Sequence, residues 1–210
     1  MKSPDFKMRI FLTGVGGQGT LLASRLLGEA ALAAGYSPLV SETHGMAQRG
    51  GIVVSTVVLG NLESPLISPG EADILLGFEP LETFRALDRC HSRTLVLANT
   101  AAIIPYSVAI GQCAYPQVKH LLELMEPYVG GLLAFDASVL ARQAGSPLAV
   151  NMVLLGALGH TKILPFPPEA LEEVVRRKTN PKFLDTNLIA FRLGREAAAA
   201  PQNWRKAWSP

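Results

Sequence analysis

Two glycine-bearing stretches near the N-terminus carry residues that can do chemistry. The first is Gly14-Val15-Gly16-Gly17-Gln18-Gly19, set between the apolar run MRIFLT (8–13) and a helix-like run. Gly14 can take the tight bend after a strand, Gly16 lets a backbone or ligand come close, and Gly19 permits close helix-to-strand packing. A helix start presents unpaired N–H groups and a partial positive charge, so a phosphate would fit there. No Lys-Ser or Lys-Thr pair follows, which excludes a Walker A loop. The second stretch is SETHGMAQRGG (41–51), where Glu42, His44, Gln48 and Arg49 crowd together before Gly50-Gly51. The two glycines let the backbone turn sharply and expose the Arg49 guanidinium, a group suited to clamping a carboxylate or phosphate through paired hydrogen bonds. His44 is of the residue type that titrates near neutral pH. Glu42 stands where an acidic residue meets a ribose in dinucleotide-binding proteins. The plainer readings are glycines that only shape a turn and a solvated polar loop.

The elements that must position these residues follow from periodicity. Residues 8–13 read as a strand. The run QGTLLASRLLGEAALAA (18–34) repeats Leu22, Leu26, Leu27 and Ala30 at near-helical spacing, and Gly35 follows as a helix cap. SPLVSE (37–42) is a second strand, completing a β-α-β unit with a right-handed crossover. Further strands are expected at 52–60, 73–78, 93–100 (ending at Asn99), 107–113 and 130–137. Helices are expected at 79–89 and 117–126. After that the character changes to three helices over 151–160, 167–178 and 183–200, with Pro165, Pro167 and Pro168 breaking the first from the second. The expected fold is α/β: a Rossmann-like three-layer αβα arrangement with a mainly parallel sheet and a helical C-terminal segment. The whole chain reads as a single domain, with an α/β core over 1–145 and a helical extension over 146–210.

Composition narrows the function classes. Of 210 residues, 49% are hydrophobic and only 17% charged, which favours a large core over disorder. So few charges fit either a parallel sheet covered on both faces or a buried partner surface. The net charge of +2 is too small to argue for nucleic acid. The basic, aromatic tail NWRKAW (203–208) reads as a segment packing through Trp204 and Trp208. Two cysteines, Cys90 and Cys113, are too few for a zinc site or a cysteine-ligated iron–sulfur cluster, so no metal site is expected. The N-terminus has no signal-like apolar stretch and no apolar run approaches a membrane span, so the cytoplasm is the expected location, with no membrane partner.

Taken together, GVGGQGTLLASRLLGEAALAAG and SETHGMAQRGG closely resemble the gamma-type component of the 2-oxoacid:ferredoxin oxidoreductases, and within them the indolepyruvate (beta-subunit) branch. VLANTAAIIP (96–105), NMVLLGALG (151–159) and DTNLIAFRLGREA (185–197) look like later segments of that family, so the resemblance covers nearly the whole chain. It implies a subunit of an enzyme complex that oxidatively decarboxylates a 2-oxoacid, passes electrons to ferredoxin and forms an acyl-CoA. Thiamine diphosphate, magnesium and iron–sulfur clusters are then expected on a larger partner subunit, with coenzyme A as co-substrate. This chain has no cysteine cluster motif and no Gly-Asp pair opening a thiamine-diphosphate motif, so it is expected to be inactive alone, with no catalytic residue of its own.

Carried over by position, Gly14, Gly16, Gly17, Gln18 and Gly19 become candidates for phosphate or coenzyme A. Glu42, His44, Gln48, Arg49, Gly50, Gly51 and Asn99 become candidates for a substrate or subunit junction. Thr20 departs from relatives that carry an apolar residue after the GQG. Two other readings stay open. One is a stand-alone NAD(P)-binding dehydrogenase, which would use Glu42 for the ribose. The other is a non-catalytic module that binds coenzyme A or a nucleotide in assembly.

Overall fold

The computed structural model describes residues 6–44, 51–104, 108 and 110–208, with His44 described by its backbone alone. Seven strands form one sheet: β1 (Lys7–Val15), β2 (Pro38–His44), β3 (Ile52–Gly60), β4 (Ala72–Gly77), β5 (Cys90–Asn99), β6 (Gly131–Phe135) and β7 (Trp204–Lys206). Their spatial order is β2-β3-β1-β4-β5-β6-β7. β1, β4, β5 and β6 pair in parallel, whereas β3 and β7 run antiparallel to their neighbours. β2 is antiparallel to β3, so it runs the same way as β1. Five of the seven strands therefore share one direction.

The helices are α1 (Thr20–Ala33), α2 (Pro80–Arg85), α3 (Val118–Met125), α4 (Ala137–Gln143), α5 (Val150–His160), α6 (Pro168–Lys178) and α7 (Leu184–Ala199). Side chains alternate across a strand, and the sequence exploits that alternation to fill two apolar layers. Ile10, Leu12, Ile74, Leu76, Leu95, Leu97 and Leu133 pack with residues of α1, α4, α5, α6 and α7. Their neighbours Phe11, Leu75, Val96 and Leu132 point the other way, toward Leu122 and Met125 of α3. Helices thus cover both faces of the sheet. No helix among the described residues is long and apolar enough to cross a membrane.

The C-terminal helices belong to the first of these layers. α5 is buried along nearly its whole length, from Val150 to Gly159. It crosses α7 at backbone distance. A Cβ on Gly156 would overlap the Phe191 carbonyl, and one on Gly194 would overlap the Val153 carbonyl. The two glycines let the helix axes approach closely.

Three features differ from the sequence expectation. First, β3 lies between β1 and β2, so the β-α-β unit is split. The β-branched run 52–60 pairs along the full length of β1, from Val15↔Ile52 to Lys7↔Gly60. Second, the strand expected at 107–113 is not seen. Among its described residues Val108 is helical, Ile110 and Gly111 form a turn, and Gln112 and Cys113 are bends. It cannot pair beside β5, which is already flanked by β4 and β6. Third, two elements were not foreseen. α4 starts at an Asp136 cap, whose Oδ1 accepts the Val139 N–H at 2.8 Å. β7 adds an edge strand beside β6. The tail is pinned by Trp204 Nε1, which donates to the Ala198 carbonyl at 2.8 Å, and by the packing of Trp204 and Trp208 on the core.

Candidate active-site edge

The parallel strands end along one edge of the sheet, the place where open α/β sheets hold ligands. β1 ends there in the glycine turn. Gly17 and Gly19 both adopt positive φ, 98° and 81°. Gly19 is the left-handed residue at the start of α1, without a side-chain cap. At Gly14 a Cβ would stand 2.7 Å from both Gln18 Oε1 and Phe78 Cβ, and at Gly19 it would stand 2.5 Å from Asn151 Nδ2. Three of the four motif glycines are therefore required by backbone conformation or close packing.

Gln18 does not reach outward. Its Oε1 accepts the Val15 N–H at 2.8 Å and its Nε2 donates to the Phe78 carbonyl at 2.7 Å. The Gln18 N–H bonds back to Val15 O at 3.3 Å, and the Gly16 N–H reaches the Gly51 carbonyl at 3.0 Å. That last bond joins the two glycine motifs. Among the described residues the N–H groups of Gly17 and Gly19 have no partner, and the first turn of α1 carries the unpaired donors of any helix start. These are the donors the turn can offer an anion.

Asn99, at the end of β5, is fully buried. Its Nδ2 donates to the Phe78 carbonyl at 2.9 Å and to Ser138 Oγ at 3.2 Å. Its Oδ1 accepts the N–H groups of Ala101 (3.2 Å) and Ala137 (3.0 Å). With its amide fully used, Asn99 ties together the ends of β4, β5 and β6. Glu42 forms a paired contact with Arg25 of α1, Nε to Oε1 at 2.9 Å and NH2 to Oε2 at 3.2 Å. The Glu42 hydrogen bond, and then its charge, hold the Arg25 guanidinium above its ordinary pKa. Both Glu42 oxygens are thus engaged, which counts against a ribose contact. Gln48, Arg49 and Gly50 lie outside the described residues, as does the His44 side chain.

Sequence reasoning missed a buried carboxylate at the same edge. Glu79 follows β4 and is 2% exposed. Its Oε2 accepts the Glu82 N–H at 3.0 Å, capping α2. Its Oε1 accepts the Ile103 N–H at 3.3 Å and the hydroxyl of Tyr115. Burial first, and then the bond to the Glu79 carboxylate, raise the Tyr115 phenol well above its ordinary range. Burial likewise raises the Glu82 carboxyl, against the opposing charge of Arg85. The signal was present as Glu79-Pro80, an acidic cap with proline at the first helical position.

The edge is also apolar on its outside. Leu22, Leu148 and Phe183 line a depression of about 170 Å3 beside α1, together with Asn151, the residue packed on Gly19. Leu148 is 74% exposed. Ile52, which pairs with Val15, and Ile103 and Ile104, which follow β5, are exposed as well.

Residues 9–197 match the family model of pyruvate ferredoxin/flavodoxin oxidoreductase. Over 191 residues the chain is 42% identical to the indolepyruvate oxidoreductase subunit IorB of Thermococcus kodakarensis, covering 90% of this chain and 95% of that protein. It is 39% identical over 188 residues to the IorB of Archaeoglobus fulgidus, covering 90% of this chain and 94% of the other. The fold matches the keto/oxoacid ferredoxin oxidoreductase gamma subunit of Geobacter sulfurreducens, with a TM-score of 0.67 and 24% identity over 92% of this chain and 99% of that one. It also matches one part of the longer 2-oxoglutarate:ferredoxin oxidoreductase of Magnetococcus marinus, with a TM-score of 0.71 and 21% identity over 96% of this chain and 32% of that one. The chain belongs to the pyruvate ferredoxin/flavodoxin oxidoreductase family.

Proposed function

We propose that the chain is the small subunit of a 2-oxoacid:ferredoxin oxidoreductase that acts on indolepyruvate or a related aryl pyruvate. The observation that carries this reading is the match, over 95% of its length, to a relative named as an indolepyruvate oxidoreductase subunit. The enzyme decarboxylates the 2-oxoacid, forms an acyl-CoA and hands electrons to ferredoxin. Thiamine diphosphate, magnesium and iron–sulfur clusters belong to a larger partner subunit. Two cysteines cannot supply the four thiolates of a cluster, which agrees with that division of labour.

The role of this chain follows from the edge where the parallel strands end. The glycine turn offers backbone donors at a helix start, ringed by exposed Leu22, Ile52, Leu148 and Phe183. An apolar rim around a polar centre suits a subunit junction. The donors of Gly17, Gly19 and the first turn of α1 then meet an anionic group of coenzyme A or of the partner. Arg49, with Glu42, His44, Gln48, Gly50 and Gly51, orders the junction or holds that anion. Gln18 and Asn99 act as positioning residues, because their amides are spent on the scaffold.

The test is reconstitution with the large subunit, followed by aryl-pyruvate- and coenzyme A-dependent reduction of ferredoxin. Arg49→Ala should weaken coenzyme A use or assembly. If the variant leaves assembly, coenzyme A affinity and turnover unchanged, the role given to Arg49 is wrong.

A further inference from the structure

A second cavity opens at the opposite end of the sheet, where the parallel strands begin. It encloses about 910 Å3 and is lined by Lys7, Asp73, His91, Arg93, Lys162 and Trp208, among others. This size falls in the range of small-molecule sites. Nothing in the account of the glycine turn uses it.

Its charge is unbalanced. Lys7 starts β1, Arg93 lies in β5 and Lys162 follows α5, so three separate parts of the chain bring cations to one space. Among the described residues none of the three is paired with a carboxylate. The one carboxylate of the lining, Asp73, already accepts the Arg9 N–H at 2.7 Å. His91 Nδ1 accepts the Arg93 N–H at 3.1 Å, which leaves Nε2 as its donor. Trp208 adds an aromatic wall, seated against Gly131.

Lys162 supplies an independent signal. Its φ is +56°, and it is the non-glycine residue with positive φ among those described. It follows the Thr161 cap of α5, a place where glycine is the usual occupant. A lysine near a helix C-terminus also meets the dipole. A lysine one position earlier, at Thr161, would meet it without the left-handed strain. Strain of this kind is retained where the side chain has a task.

We infer that this cavity binds a phosphorylated, ring-bearing anion of nucleotide size. The phosphates meet Lys7, Arg93 and Lys162, the planar guanidinium suiting paired bonds to phosphate oxygens. The ring lies against Trp208. This inference does not rest on the reading of the glycine turn, which lies at the other end of the sheet.

The experiment is calorimetric titration of the full chain with ADP, and with adenosine as the uncharged control, for wild type, Arg93→Ala and Lys162→Gly. Saturable ADP binding is expected, weakened roughly tenfold in each variant, with adenosine binding poorly. Lys162→Gly should also raise Tm, because glycine relieves the left-handed strain. Weaker ADP binding in a more stable protein excludes damage to the fold as the cause. Absence of saturable ADP binding overturns the inference. So does an ADP affinity unchanged in both variants, which would put the nucleotide elsewhere.

Discussion

Gln18 and Asn99 donate to the same oxygen, the Phe78 carbonyl, over 2.7 and 2.9 Å. One residue belongs to the glycine turn after β1 and the other ends β5. The carbonyl they share follows β4, which lies between those strands. The edge that carries the candidate site is therefore cross-braced by two buried amides. Its glycines can stay in their unusual conformations because the neighbouring strand ends are held.

Gln18→Ala removes both ends of one brace. It leaves the buried Val15 N–H without its acceptor, a loss of about 1–3 kcal/mol. Urea denaturation of the isolated chain should show a lower midpoint with an unchanged slope.

Gly156→Ala and Gly194→Ala each drive a methyl into the backbone of the facing helix. Both should cost about 3 kcal/mol, the upper end of the range for overpacked cores. Gly70→Ala is the control. It has open space but a φ of +74°, so only the left-handed strain of about 1–2 kcal/mol applies. The same denaturation measurement separates the two mechanisms.

Alkaline pH should weaken the fold through Tyr115 and Cys90. Both groups are raised in the folded protein, the Cys90 thiol up to about 12 by burial. A raised acid stays neutral in the folded chain while the unfolded chain ionises. The associated stability is complete below the unfolded pKa, about 9 for the thiol and 10 for the phenol, and falls as pH rises above it. Tyr115→Phe should lower stability at neutral pH by leaving Glu79 short of a donor, and should flatten the alkaline loss. A pH series of melting curves for both proteins reads this directly.

The same burial makes Cys90 a poor nucleophile, since the thiolate is the reactive form. A thiol reagent near neutral pH should modify exposed Cys113 in the native chain and reach Cys90 only after denaturation. Peptide mapping of the labelled protein distinguishes the two sites.

Much of this architecture is legible in the sequence, and the failures have physical causes. Strand β3 and helices α1, α5, α6 and α7 are read to within a residue or two, because their apolar periods run long. The place of β3 between β1 and β2 is not legible, since pairing partners are chosen by tertiary contact rather than by local pattern. The run 107–113 reads as a strand in sequence, but β5 before it is already paired on both sides and Gly111 turns at φ +76°. At the site, the sequence marks the glycine turn and Asn99. It does not reveal that the Gln18 and Asn99 amides are consumed internally, because hydrogen-bond partners 60 and 21 residues away leave no local trace. Glu79-Pro80 carries only the local pattern of a helix cap, and the contact from Tyr115 comes from 36 positions on.

The proposed function requires that this chain work docked, through the edge bearing its glycine turn, on a larger catalytic subunit. The most direct measurement is co-expression of the two, with ferredoxin reduction by aryl pyruvate assayed for wild type and for Leu148→Asp. Leu148 is largely exposed, so the variant should fold as well as wild type. The expected result is a brown complex active with wild type, and loss of both assembly and activity with Leu148→Asp. A large subunit equally active without this chain, or a Leu148→Asp complex indistinguishable from wild type, would contradict it.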